Sequence, residues 1–281
     1  MGFMKNTILY LLNNTEEDKA TFIKSLDLLY NNYLQDYPCD IACFHEPDFC
    51  KNEKNNLKIK YHFLNINFHE IEFKAPNYPE EIASQILEYF PHPEEIWQQR
   101  GHKGFTMGYR HMCRFFAGQF MNLECLSEYK YIWRLDTDSF ILNKINYNVF
   151  ERMKSSNSIY GYINIQHDHI GAIKNLWETC KNYFSEENLI FKSENKNKHF
   201  RRVYYSNFEI FDMEWFKAKP YQDFYNYLDS TGGIYINRWG DHVIRYLGLN
   251  ALENKEKFLF FNDIIYEHGA IYHNNEIINT Y

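Results

Sequence analysis

Short apolar runs alternate with segments of helical periodicity along most of this chain. Residues 7–12 are continuously apolar over a strand's length. Thr15 follows with Glu16, Glu17 and Asp18 behind it, the signature of a helix N-terminus. Phe22, Leu26, Leu29 and Tyr33 then recur at helical spacing. Residues 41–44 form a second apolar run, and residues 58–66 alternate well enough to predict a third strand. This β-α-β-β opening predicts a Rossmann-like sheet. Pro79 suits a helix start, and Ile82, Ile86, Leu87 and Phe90 make one apolar face until Pro91 stops it. Residues 98–104 read as a polar, mobile loop. A helix from Tyr109 to Met121 follows, with Met112, Phe116 and Phe120 toward the core and Arg110 and Arg114 sharing a side.

Residues 129–142 carry the clearest chemical signal. Tyr131, Ile132, Trp133 and Leu135 make a short apolar strand, and Asp136 and Asp138 stand at its C-terminal end. In open α/β sheets ligands sit outside the carboxyl ends of the strands. Two hard oxygen donors there suit a divalent cation that holds a diphosphate. Further on, residues 159–165 predict a strand ending near Asp168, and residues 185–202 a charged excursion over the surface. A strand over residues 204–210 carries Glu209, and a helix over residues 239–247 has Asp241 in its first turn. His268 follows the apolar run 264–266. Each of these groups alone has an ordinary structural explanation; several on the strand ends of one sheet point to a metal-assisted site. No linker divides the chain, which predicts a single domain.

Composition narrows the classes. Of 281 residues, 45% are hydrophobic, with 24 Tyr and 24 Phe, so a packed core is available. The net charge of −7 argues against nucleic acid as a partner. It permits an anionic substrate, because a metal supplies positive charge locally. Six cysteines show neither a CxxC pair nor zinc spacing, which predicts free, mostly buried thiols. No signal peptide or membrane-length apolar stretch is visible, which favours a soluble, cytoplasmic chain over a luminal one.

Several motifs carry a family resemblance. Tyr109-Arg110-His111-Met112-Cys113-Arg114-Phe115 is similar to the Tyr-Arg-x-Met-Cys-Arg-Phe block of the fungal α-1,2-mannosyltransferases, glycosyltransferase family 15. The segment Tyr131-Ile-Trp-Arg-Leu-Asp-Thr-Asp138 resembles that family's Tyr-Tyr-Trp-Arg-Val-Glu-Pro-Asp, and Ser206-Asn-Phe-Glu-Ile210 matches its Ser-Asn-Phe-Glu-Ile. Gly232-Gly233, Arg238-Trp-Gly-Asp241 and Asp263-Ile-Ile-Tyr-Glu-His268 follow in the family's order. The resemblance runs from about residue 5 to residue 272. Asp136 and Thr137 stand where the family has Glu and Pro, and Glu267 where it has the first of two histidines.

The resemblance implies a GT-A type α/β fold, a Rossmann-like mixed sheet flanked by helices. It implies transfer of mannose from GDP-mannose to a mannose-containing glycan, with retention and manganese as cofactor, in an α-1,2 linkage. Residue by residue it places Asp138 and His268 on the metal, and Asp136 and Asp168 at the donor with Arg110 and Arg114. Glu209 falls near the β face of the sugar, Tyr109 near the donor and Asp241 beside the acceptor. Glu209 could attack as a nucleophile or only steady an oxocarbenium ion while the acceptor attacks from the leaving-group side. Two other readings of the same fold stay open: an inactive nucleotide- or glycan-binding protein, and a transferase for a different nucleotide sugar.

Overall fold

β1 (Lys5–Leu12) is the spine of the larger sheet in the computed structural model, which describes residues 5–89, 106–185 and 187–280. It is buried along most of its length and feeds α1 (Glu16–Leu29), whose N-cap Thr15 accepts a hydrogen bond from the Asp18 amide. β2 (Asp40–His45), α2 (Lys51–Lys60) and β3 (Ile66–Glu70) extend the sheet on one side in parallel. The predicted strand over residues 58–66 is therefore corrected: its first residues end α2, and the third strand starts at Ile66. The alternation misled because Leu57 and Tyr61, four apart, are buried on a helical face while Ile59 between them is 72% exposed.

The chain then forms α3 (Glu80–Tyr89), with Ile86 against Tyr235, and α4 (Met107–Ala117). The side chain of Leu87, together with Phe90 and the predicted loop through residue 104, lies outside the described residues. β4 (Tyr129–Leu135) returns to the other side of β1, in parallel. The sheet's connectivity thus reverses between β1 and β4, the crevice where α/β proteins bind ligands.

β5 (Phe140–Ile141), α5 (Val149–Ser155), β6 (Tyr160–Tyr162), β7 (Ile165–His167), α6 (Leu176–Phe184) and α7 (Lys196–His199) follow. The predicted surface excursion instead packs inward through Ile190, Phe191 and His199, all buried. β8 (Arg202–Tyr204) pairs with β7, and β9 (Phe208–Asp212) runs antiparallel between β4 and β6. A turn separates β8 from β9, so Glu209 sits near the start of a strand, not at the end of one running from Tyr204. Helices α8 (Met213–Lys217), α9 (Lys219–Ser230), α10 (Gly233–Ile236) and α11 (Asp241–Leu252) cover one face. β10 (Phe258–Phe260) closes a seven-stranded mixed sheet of order β10-β6-β9-β4-β1-β2-β3.

β11 (Tyr266–His268), β12 (Ala270–His273) and β13 (Glu276–Thr280) form a second, antiparallel sheet whose other edge is β5. The six cysteines are free, three of them buried. No described helix is long and apolar enough to cross a membrane.

Candidate active site

The two-residue strand β5 explains how residues distant in sequence meet. Phe140 pairs with Glu267 and Ile141 with Tyr266, so β11 delivers His268 beside the loop that carries Asp136 and Asp138. That loop is tied on both sides. The Asp136 amide donates to Ser139 Oγ at 3.1 Å and to the Asn207 carbonyl at 3.2 Å, and Ser139 Oγ lies 2.7 Å from the Tyr266 hydroxyl. Thr137 Oγ1 donates to Asp18 Oδ1 at 2.6 Å, which anchors the loop to the first turn of α1.

One ligand atom from each of Asp136, Asp138 and His268 falls within 4.8 Å of the others. Their chemistry fits a divalent cation. The Tyr205 hydroxyl donates to the His268 carbonyl at 3.1 Å and lies 2.7 Å from His268 Nδ1, so it is placed to accept Nδ1–H. With Nδ1 so engaged, Nε2 is left to face Asp138 Oδ1, 3.1 Å away, where its lone pair would meet a cation held between them. Asn207 Nδ2 bridges Asp136 Oδ2 at 2.7 Å and His268 Nε2 at 3.0 Å. Two carboxylates with one imidazole suit manganese or a similar borderline ion. Without the ion, Asp138 raises the His268 pKa, and His268 lowers that of Asp138 against the effect of its burial.

Arg134 joins this cluster to the rest of the site. It is 2% exposed inside β4, its guanidinium 3.5 Å from the centre of the Phe116 ring. Nε donates to Asp136 at 3.0 Å; Nη1 donates to Glu209 at 3.1 Å and to Asp241 at 2.6 Å. Antiparallel pairing makes this possible, since Arg134 sits directly opposite Glu209. Sequence reasoning passed over Arg134, although an arginine inside Tyr-Ile-Trp-Arg-Leu has to find a partner once buried.

Glu209 has no exposed surface. Beside Arg134 it accepts from Arg245 Nε at 3.1 Å and from the Tyr160 hydroxyl at 2.7 Å. Burial pushes its carboxyl up against the pull of the Arg245 and Arg134 guanidiniums. Both oxygens are engaged, and Glu209 does not line the cavity in front of it. Arg245 also donates to the Tyr221 hydroxyl and the Phe116 carbonyl, locking α11 to α4 and α9.

That cavity, of about 380 Å³, runs from Asp136 and His268 past Arg134 to Tyr109, Asp168, Asp241 and His242. Asp241 begins α11 and is buried; Arg134 beside it holds its carboxyl far below the usual range. Asp168 accepts from Arg238 at 3.3 Å and pairs with His242 at 2.9 Å. His242 and Arg238 hold Asp168 down to about 2 despite burial. The Tyr109 hydroxyl accepts from Arg238 at 3.2 Å. Tyr109 and Met112 are shared with a second cavity of about 390 Å³ at the ends of β1 and β2, so the two form one cleft.

Of the residues predicted from sequence, Asp136, Asp138, His268, Asp168, Asp241 and Tyr109 thus converge. Arg110 and Arg114 do not line either cavity. Arg110 is buried and donates to the Ile234 carbonyl at 3.4 Å. Arg114 makes a bidentate pair with Asp229, Nε and Nη2 each at 2.7 Å, which ties α4 to α9. Their shared helix face is a packing face, and of the two partners the motif suggests for Arg114, donor phosphate or a buried acid, the structure shows an acid, Asp229.

Comparison with known proteins agrees with this geometry. The family described as glycolipid 2-alpha-mannosyltransferase matches residues 3–278. A probable mannosyltransferase, KTR4, of Saccharomyces cerevisiae is 29% identical over 95% of this chain and 61% of its own length. Glycolipid 2-alpha-mannosyltransferase 2 of Candida albicans is 27% identical over 91% of this chain and 59% of its own. The chain therefore spans about three-fifths of the length of these curated relatives. The crystal structure of yeast Ktr4p in complex with GDP superposes with a TM-score of 0.82 at 26% identity, covering 95% of this chain and 71% of that one. Core-mannan synthase A of Aspergillus fumigatus, in an Mn/GDP form, shares the fold at a TM-score of 0.81 and 21% identity, over 97% of this chain and 76% of that one. The fold is of the GT-A type.

Proposed function

The chain belongs to the glycolipid 2-alpha-mannosyltransferase family, and on that premise we propose that it transfers mannose from GDP-mannose to a mannose-bearing glycan, forming an α-1,2 linkage with retention. The observation that carries this reading is the Asp136, Asp138 and His268 cluster at the end of β4, opening onto a cavity of sugar size. Asp136, Asp138 and His268 would hold manganese, which would neutralise charge on the departing diphosphate. The adjoining cavity at the ends of β1 and β2 offers room for the nucleoside.

In the reaction the bond from the mannose anomeric carbon to the diphosphate oxygen breaks, and a bond from that carbon to an acceptor hydroxyl oxygen forms. The acceptor proton leaves to the diphosphate oxygen. Asp241, presented to the cavity by Arg134, accepts a hydrogen bond from the sugar that lies over it. Glu209 has no open path to the anomeric carbon, because Arg134, Arg245 and Tyr160 occupy its oxygens. Retention therefore fits acceptor attack on the leaving-group side better than a glycosyl-enzyme. Glu209 acts through Arg134, fixing the position of the guanidinium that borders the cavity.

A donor panel tests the proposal. GDP-mannose should be turned over in preference to GDP-fucose, GDP-glucose and UDP-sugars, and turnover should rise when a mannoside acceptor is added. Preference for another donor would keep the fold and replace the substrate. GDP binding with no turnover of any donor would leave a nucleotide-binding protein.

A further inference from the structure

His242 takes no part in the proposed reaction, yet its imidazole lines the cavity between two acids. Nε2 lies 2.9 Å from Asp168 Oδ2, and Nδ1 lies 3.8 Å from Asp241 Oδ1. The ring lies against Gly240. A Cβ at that position would come within 2.3 Å of the imidazole, although Gly240 has an ordinary extended backbone with φ −79° that any residue could adopt. The bare glycine therefore leaves the space the ring occupies, and a Cβ there would displace the ring. Asp168 arrives from beyond β7 and Asp241 from the start of α11, and His242 spans them.

We propose that His242 is a positioning residue whose imidazolium clamps Asp168 and Asp241 as a paired acceptor for the hydroxyls of the sugar in the cavity. This rests on the transferase reading for the identity of the sugar. The reason for a cation is electrostatic. Two ionised carboxylates facing one small cavity repel each other; Arg238 and Arg134 each offset one of them, and an imidazolium between the two adds the charge that holds both as acceptors. A protonated carboxyl would present a donor where a sugar hydroxyl needs an acceptor. The two carboxylates facing His242 favour its charged form, against the guanidiniums behind them. Asp168 and Asp241 face it directly, Arg238 stands behind Asp168, and Arg134 stands behind Asp241. The two acids raise the imidazole to about 9 despite burial.

Two measurements test the clamp. In the first, calorimetry compares GDP, which lacks the sugar, with GDP-mannose and methyl α-mannoside, for wild type, His242→Gln and Gly240→Ala. Both variants should bind GDP within about two-fold of wild type. Both should lose about 10- to 100-fold in affinity for at least one sugar-bearing ligand, the effect of a lost charge-assisted hydrogen bond. Gly240→Ala leaves every proposed sugar contact in place and only displaces the ring, so it separates the clamp from direct contact. In the second, imidazole nitrogen NMR follows His242 with pH, a readout independent of turnover. The ring should titrate near pH 9 in wild type and move back toward 6.5 in Asp168→Asn. Parallel losses for GDP and the sugar ligands, unchanged sugar affinity, or an imidazole that titrates near 6.5 in wild type would each overturn the clamp. Failure of every donor to react, with the mannoside still bound and His242 titrating high, would overturn the transferase reading alone.

Discussion

Replacing Glu209 by glutamine separates scaffold from chemistry. The carboxylate is fully buried and accepts from Arg134 at 3.1 Å, Arg245 at 3.1 Å and Tyr160 at 2.7 Å. Glutamine keeps one acceptor oxygen but turns an amide donor toward one of the guanidiniums. Breaking a buried ion pair on one side costs about 3–5 kcal/mol, because the remaining charge stays buried without its partner. The retained acceptor should hold the loss near the low end, about 3 kcal/mol. For a chain of this size that is a fall of roughly 6 °C in the melting midpoint. Thermal unfolding by circular dichroism reads it directly, with GDP affinity and turnover measured on the same preparation. The account expects a clear loss of stability together with reduced turnover, since Arg134 borders the cavity and leans on Glu209. If Glu209→Gln melts within a degree of wild type but turns over about 100-fold more slowly, Glu209 meets the reacting carbon and the front-side assignment is wrong.

Arg114→Lys keeps a positive charge but cannot copy the two-pronged pair with Asp229; it should lower the melting midpoint while leaving GDP affinity unchanged, as calorimetry on the folded variant will show. Manganese should bind weakly alone and more tightly with GDP, and His268→Ala should abolish that coupling without unfolding the chain. Because Asp138 raises His268, the proton competes with the metal at a higher pH than for a free imidazole, so manganese affinity should fall and proton release grow as pH drops through that raised value. The Asp168–His242 pair sets a separate stability window: its histidine part is complete below 6.5 and lost as pH rises through about 9, and its aspartate part is present above 3.8 and lost as pH falls through about 2. Urea unfolding across pH should show the alkaline decline in wild type and not in His242→Gln.

The parts of the site that were legible in the sequence are those carried by chain-local signals. Asp136 and Asp138 announce themselves as acids closing an apolar strand, and Asp241 as an acid in a helix's first turn. The meeting of Asp138 with His268 depends on the pairing of β5 with β11, a two-residue strand too short to leave a periodic pattern. Arg134 and Arg245 were missed for a related reason. Each lies in a run that reads as core, and their role appears only when β4 and α11 bring them to Glu209 from opposite sides. An arginine within an apolar stretch is nonetheless a readable signal, because burying its charge demands a carboxylate. The misread strand at residues 58–66 shows the opposite limit. Alternating Lys and apolar residues satisfy a strand pattern and a helix face equally over so few positions. The charged, Asn- and Lys-rich composition of residues 185–202 likewise hid the burial of Ile190 and Phe191, which tertiary packing supplies.

Transfer itself gives the most direct test of the central claim. GDP-mannose, manganese and methyl α-mannoside are incubated with the protein, and the disaccharide is read by NMR for both the configuration of the new bond and the acceptor carbon. The account predicts an α-linked dimannoside joined at carbon 2, formed in step with GDP release. A β-linked product, or no product from folded protein that binds GDP and manganese together, would contradict it.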